Sequence, residues 1–288
     1  MNFNPLHRTT IIVTALLLLA IPTAHSAKAQ FVINSPKVEK GEVEIETHGS
    51  AQSGFPEADD DEEGEKVIRH GHELEIGYGI TDFWKAELGL SFQKPVGEGL
   101  EASAIEFENI FKLGTVQRWN MTLGLLAGVS LGIGSADEPD AFEFGPLVQF
   151  GDEKSGMVLL NGIFEKTFGD NREEGVGFEY AAQVRFPVTD RIGLGVEAFG
   201  EIEDIGNAPS FDETELRVGP MLYMSFGDDD DDDDKGGKRN GKRDDDDDDK
   251  SLKTGAKEPE IEVGMGVLFG VTEATPDVTF KWDVEVQF

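Results

Sequence analysis

"VTFKWDVEVQF", residues 278–288, closes the chain, and its reading decides the fold. Val278, Phe280, Trp282, Val284, Val286 and Phe288 share one parity, while Thr279, Lys281, Asp283, Glu285 and Gln287 share the other. Side chains of an extended strand point alternately to two faces, so a period of two describes a strand with one apolar and one charged face. The same alternation returns upstream in "WNMTLGLLAGVSLGIG", "VGFEYAAQVRFPV" and "ELRVGPMLYMSF". In each, most residues opposite the apolar row are Gly, Ser, Thr, Asn, Gln, Glu or Arg.

Working outward gives about twelve such segments, at 41–49, 66–80, 83–93, 100–113, 119–133, 141–150, 157–168, 176–188, 191–202, 213–226, 259–270 and 278–288. Each has room for the roughly 9–11 residues with which a tilted strand crosses a bilayer. Helix-period stripes are nearly absent.

A soluble sandwich or barrel would bury the apolar face in a core; a membrane barrel would turn it to lipid and the polar face to a lumen. Three features favour the membrane barrel. The N-terminus reads as a secretory signal at 1–29, with Arg8, the apolar run "IIVTALLLLAI" and the small residues of "AKA" before a cleavage point after Ala29. Tight turns ("ITD", "VTDR") alternate with longer acidic loops ("SADEPDA", "GDNREEG", "EDIGNAPSFDE"). Aromatics gather at strand ends, with Tyr78, Trp84, Trp119, Phe150, Phe186, Phe226 and Phe288 toward the tight turns and Phe92, Phe142, Phe168 and Phe269 toward the loops. The expectation is an all-β, transmembrane, antiparallel up-and-down barrel of about 12 strands in an outer membrane. An even count places both termini on the short-turn side, which in such barrels is periplasmic.

The terminal Phe288, with apolar residues at alternate positions back through Val286, Val284 and Trp282 to Phe280, looks like the signal by which the barrel-assembly machinery receives outer-membrane proteins. "HELEIGYGITDFWKAELGLSF" (72–92) and "GVLFGVTEATPDVTFKWDVEVQF" (266–288) resemble the outer-membrane transporter family of the MetA-pathway phenol-degradation type. That resemblance implies a transporter-like barrel, transfers no catalytic residue, and says little about substrate.

Composition excludes several functions. The formal net charge is −33, which argues against nucleic acid as a partner. No cysteine is present, so disulfides, thiolate metal sites and thiol nucleophiles are ruled out. The Asp-rich stretch 227–258 carries thirteen aspartates between 228 and 250 against six Lys and Arg, a net −7. It lacks the EF-hand pattern and reads as a disordered periplasmic insertion between strands ten and eleven. Acidic loops at 57–65 and 135–140 read as solvated outer loops, with divalent cations and lipopolysaccharide as conceivable neighbours.

For chemistry, the exported chain offers His48, His70 and His72. A rim hydrolase would need one beside a serine or aspartate, and no G-x-S-x-G signature exists. All three histidines are expected to lie exposed near the outer rim, His70 and His72 sharing the outward face with no further metal ligand there. Catalytic residues, cofactors and a metal site are therefore not expected.

By strand parity Glu73, Glu75, Lys85, Glu87, Glu106, Glu108, Glu143, Gln149, Glu165, Glu179, Arg185, Glu197, Glu215, Arg217, Glu262, Lys281, Asp283 and Glu285 point inward. Carboxylates dominate this set. They make either an acidic solute path favouring cations or neutral molecules, or ion-pair networks that plug the barrel. The sequence thus points to a passive channel for small solutes, with a plugged structural or cation-binding barrel as the alternative.

Overall fold

The computed structural model describes residues 31–54, 68–95, 99–134, 139–169, 172, 174–227 and 259–288. The expected signal segment, the acidic loop at 57–65, most of the one at 135–140, and the Asp runs lie outside them.

Twelve strands are described: β1 (Val43–Ser53), β2 (Ile68–Thr81), β3 (Trp84–Pro95), β4 (Glu101–Val116), β5 (Met121–Gly132), β6 (Asp140–Asp152), β7 (Gly156–Phe168), β8 (Gly177–Thr189), β9 (Ile192–Ile202), β10 (Glu215–Phe226), β11 (Glu260–Gly270) and β12 (Val278–Gln287). They pair antiparallel in chain order and close into a barrel through β1 and β12. In the closing seam Glu44 lies opposite Gln287 and Ser53 opposite Val278. Phe288 exchanges backbone hydrogen bonds with Val43 at its end. Closure removes every sheet edge, which a lipid-exposed sheet requires because lipid cannot satisfy free N–H and C=O groups.

The short turns are built by their own side chains. Thr189 Oγ1 accepts from the N–H groups of Arg191 (3.2 Å) and Ile192 (3.0 Å), and Thr81 Oγ1 accepts from Phe83 N–H at 3.3 Å. A hydroxyl that bonds the backbone two residues on is a turn-former, so "ITD" and "VTDR" fold back on themselves. Asp152 does the same work between β6 and β7, accepting from the N–H and Oγ of Ser155.

The outward face carries Leu74, Ile76, Tyr78, Leu88, Phe144, Leu194 and Phe280, all exposed. Contiguous exposed apolar surface on this scale fits lipid rather than water. Trp119 and Phe186 stand at the short-turn end, and Phe142, stacked on Phe168 at 4.5 Å, near the other.

Two features depart from the sequence reading. First, β1 runs to Ser53 rather than ending at 49, because β12 offers partners as far as Val278. Second, residues 31–38, for which the periodicity predicts no element, run inside the barrel. Val38 packs on the inward residues Ile110, Leu126 and Leu147. Phe31 packs on Phe199, Met221, Tyr223 and Leu268.

Candidate functional site

The inward face divides into two walls, and the segment 31–38 accounts for one of them. On β4–β11 several inward positions are apolar: Ile110, Leu126, Leu147, Phe199, Met221, Tyr223 and Leu268 are all buried. Left to face water, they would forfeit roughly 1.5–3 kcal/mol per large side chain, and Phe31, Ile33 and Val38 cover them.

Polar groups fix the segment's register. Asn34 N–H donates to Asn161 Oδ1 at 2.7 Å, and Asn161 Nδ2 donates back to Asn34 O at 2.9 Å, so one side chain imitates a strand partner. Ser35 Oγ donates to Gln149 Oε1 at 3.0 Å. Pro36 lies over Gly124, where a Cβ would come within 2.7 Å of the proline ring. Gly79 likewise leaves room for Glu39 O, which would stand only 1.8 Å from a Cβ there. Lys37 reaches Glu153 in the β6–β7 turn at 2.9 Å, so the segment leaves the barrel at its short-turn end. Its other end lies deep, with the Arg217 guanidinium 4.3 Å above the Phe31 ring.

The Lys37–Glu153 pair holds both groups in their charged forms. Burial alone would lower the Lys37 ammonium, but the Glu153 carboxylate outweighs it and the net direction is up. Burial likewise pushes Glu153 up, yet the Lys37 charge and hydrogen bond bring it below the usual carboxylate value.

Beside the apolar wall on β8–β12, seven of the predicted lumen residues form ion pairs with one another. Arg185 grips Glu262 with both terminal nitrogens and stacks 4.4 Å from the Tyr223 ring. Arg217 pairs with Glu215. Lys281 Nζ donates to Glu197 Oε2 at 2.8 Å and to Asp283 Oδ1 at 3.2 Å. Glu197 also accepts from Tyr223 OH at 2.8 Å and from Gln183 at 2.9 Å. This is an ion-pair network of the plugging kind.

The wall on β1–β6 differs. Glu73, Glu75, Glu87 and Glu106 are buried there, with Glu108 and Glu143 half-buried, and the Lys85 ammonium is buried among them. Lys85 Nζ donates to Glu44 at 2.5 Å and contacts Glu87 at 2.6 Å. Cross-strand register aligns like charges: Glu285, Glu46 and Glu75 lie opposite one another across β12, β1 and β2, as do Glu87 and Glu108, and Glu143 and Glu165. Like charges directly opposite are destabilising. An excess of carboxylate of this kind raises the local cation concentration. Glu165 and Glu179 are half-buried toward the long-loop end.

The three histidines are not exposed at the rim as expected. β1 continues past His48, which puts it mid-strand in the lumen wall at 7% exposure, its Nε2 3.2 Å from Glu46 Oε2. His70 and His72 lie on the outward face, but their rings pack 4.2 Å apart and against Trp282, leaving His70 at 3% exposure.

Of the residues that parity turns inward, Glu73, Glu75, Lys85, Glu87, Glu106, Gln149, Arg185, Glu197, Arg217 and Lys281 are buried. The inward set omits Glu44, Glu46 and His48, which share one face of β1 and lie within the segment expected at 41–49. It also passes over apolar residues on the inward parity. That signal is present in the sequence: inward Ile110, Leu126 and Leu147 require something inside the barrel to cover them.

The sequence matches no protein-family model and no curated protein. Solved structures do match. An outer membrane channel from Pseudomonas putida F1 aligns over 93% of this chain and 98% of its own, with a TM-score of 0.53 at 13% identity. The NanC porin aligns over 85% of this chain and 98% of its own, at a TM-score of 0.48 and 9% identity. The KdgM porin covers the same shares, at 0.43 and 12%. The first likeness is one of fold: the chain, a closed twelve-stranded antiparallel barrel, shares its architecture with that channel.

Proposed function

We propose that this chain is an outer-membrane channel for small solutes, with an acidic path that favours cations or neutral molecules. The observation that carries the proposal is the division of the lumen. Segment 31–38 covers the apolar wall on β4–β11, while the wall on β1–β6 keeps an excess of carboxyl groups over bases. Twelve strands enclose more than the eight of a side-chain-filled barrel and fewer than the sixteen of an open porin, so a strand-sized segment narrows the lumen. The fold shared with a bacterial outer membrane channel supports the reading. In this proposal the signal segment 1–29 is cleaved, both termini face the periplasm, Phe280 to Phe288 are read by the assembly machinery, and stretch 227–258 hangs as an insertion below the membrane. The kinship to transporters of the phenol-degradation type belongs to the proposal as well.

The seating of Phe31 and Val38 favours one second reading, a plugged barrel that conducts nothing until the segment leaves. Liposome swelling with solutes of graded size separates the two. The channel predicts swelling with the smallest solutes and none with larger ones. Silence at every size, from protein whose heat-modifiable gel mobility shows a folded barrel, would support the plug.

A further inference from the structure

Glu46 and His48 stand two residues apart on the inward face of β1, and Glu75 lies directly opposite Glu46 on β2. One ligand atom from each falls within 4.8 Å of the others. His48 is 7% exposed, and neither of its ring nitrogens has a hydrogen-bond partner. Its Nε2 lies 3.2 Å from Glu46 Oε2 without hydrogen-bond alignment, close to the edge of a tetrahedron whose bonds are about 2.0–2.1 Å. An imidazole buried this far and left unpartnered costs free energy that a ligand to its lone pair would recover.

The surroundings point the same way. Glu46 is flanked by Glu75 on one side and Glu285 on the other. Lys85 is engaged by Glu44 and Glu87, and a second oxygen of Glu87 is buried without a partner. The cluster extends through Glu44, Glu87 and Glu108. A divalent ion would offset the repulsion in this row and complete the histidine at once.

We infer that Glu46, His48 and Glu75 form a divalent-cation site in the lumen wall. One nitrogen and two carboxylates suit a borderline cation such as Zn²⁺; Ca²⁺ and Mg²⁺ take oxygen ligands. Three protein ligands leave a coordination position open toward the lumen, where Glu46, with its side chain 17% exposed, gives entry. The site does not depend on conduction, because a plugged barrel has the same wall.

The test is calorimetric titration of the folded full-length barrel in detergent with Zn²⁺, in excess Mg²⁺ so that oxygen-only sites stay filled. Wild type is expected to bind one Zn²⁺ tightly. His48→Gln and Glu75→Gln should each weaken binding at least about tenfold, a ligand's loss counting for no less than a supporting group's. The double substitution His70→Ala, His72→Ala should bind as wild type. Should His48→Gln fail to fold, judged by heat-modifiable mobility, the isosteric Glu75→Gln decides the outcome. Absence of Zn²⁺ binding by wild type, or equal binding by folded His48→Gln or Glu75→Gln, would overturn the inference.

Discussion

Val38 is 4% exposed and surrounded by Ile110, Leu126 and Leu147. A carboxylate there would be buried without a partner, at a cost of several kcal/mol. Val38→Asp should therefore drive the segment from its seat and raise single-channel conductance severalfold, while gel mobility still reports a folded barrel. Unchanged conductance would mean the segment does not limit the pore. The Lys37–Glu153 latch works in a different range. Glu153 is held below its ordinary value, so its contribution is present above the carboxylate range and is lost as pH falls through the lowered value. Lys37 is held above its ordinary value, so its contribution is present below that value and is lost as pH rises through the raised one. Between those limits, neutral pH included, the latch is intact. Its side chains are 50% and 42% exposed, which limits the pair to about 0.2–1 kcal/mol. At neutral pH, Glu153→Gln should thus increase the open fraction in single-channel records by at most about fivefold. A larger increase would show that the latch holds the segment more strongly than an exposed pair can. His48 marks the limit of what single residues disclose. Its neighbours Glu44 and Glu46 alternate with Val43, Ile45 and Thr47, so its inward parity is visible in the sequence. Its burial is not, because burial depends on how far β12 carries β1.

Elements are more legible than sites. Period-two alternation locates all twelve strands, since each presents an apolar outer face and a largely polar inner one, and no α-helix among the described residues competes for the pattern. Turn chemistry fixes the short-turn end through Thr81, Thr189 and Asp152. Segment 31–38 stays hidden because an inserted stretch has no periodicity of its own; its contacts alternate between Asn, Ser, Pro and apolar residues according to what the wall presents. The C-terminal strand carries an element-scale prediction. Phe288 pairs with Val43 at the closing seam and is proposed to be read during assembly. Deleting Phe288 should lower the yield of folded barrel in the outer membrane severalfold in cells, yet change refolding in detergent far less. Equal losses in both settings would assign Phe288 to closure alone.

For the whole molecule, the net charge of −33 is less informative than where the carboxylates sit. On β8–β12, Glu262, Glu215, Glu197 and Asp283 are paired with Arg185, Arg217 and Lys281, while on β1–β6 Lys85 pairs with Glu44 and Glu87. Sequence parity shows the inward set as one acidic lining. Its separation into an ion-paired wall and a wall with an excess of carboxyl groups comes from register, which aligns Glu285 with Glu46 and Glu75 on one side and seats Lys281 on Glu197 on the other. In the proposed channel, selectivity resides in the β1–β6 wall and pore size in the segment opposite. The most direct measurement is the reversal potential of the purified protein in a planar bilayer across a salt gradient. A small conductance with cation-selective reversal is predicted, moving toward zero selectivity in Glu73→Gln, Glu106→Gln. An anion-selective reversal, or no conductance at all, would contradict it.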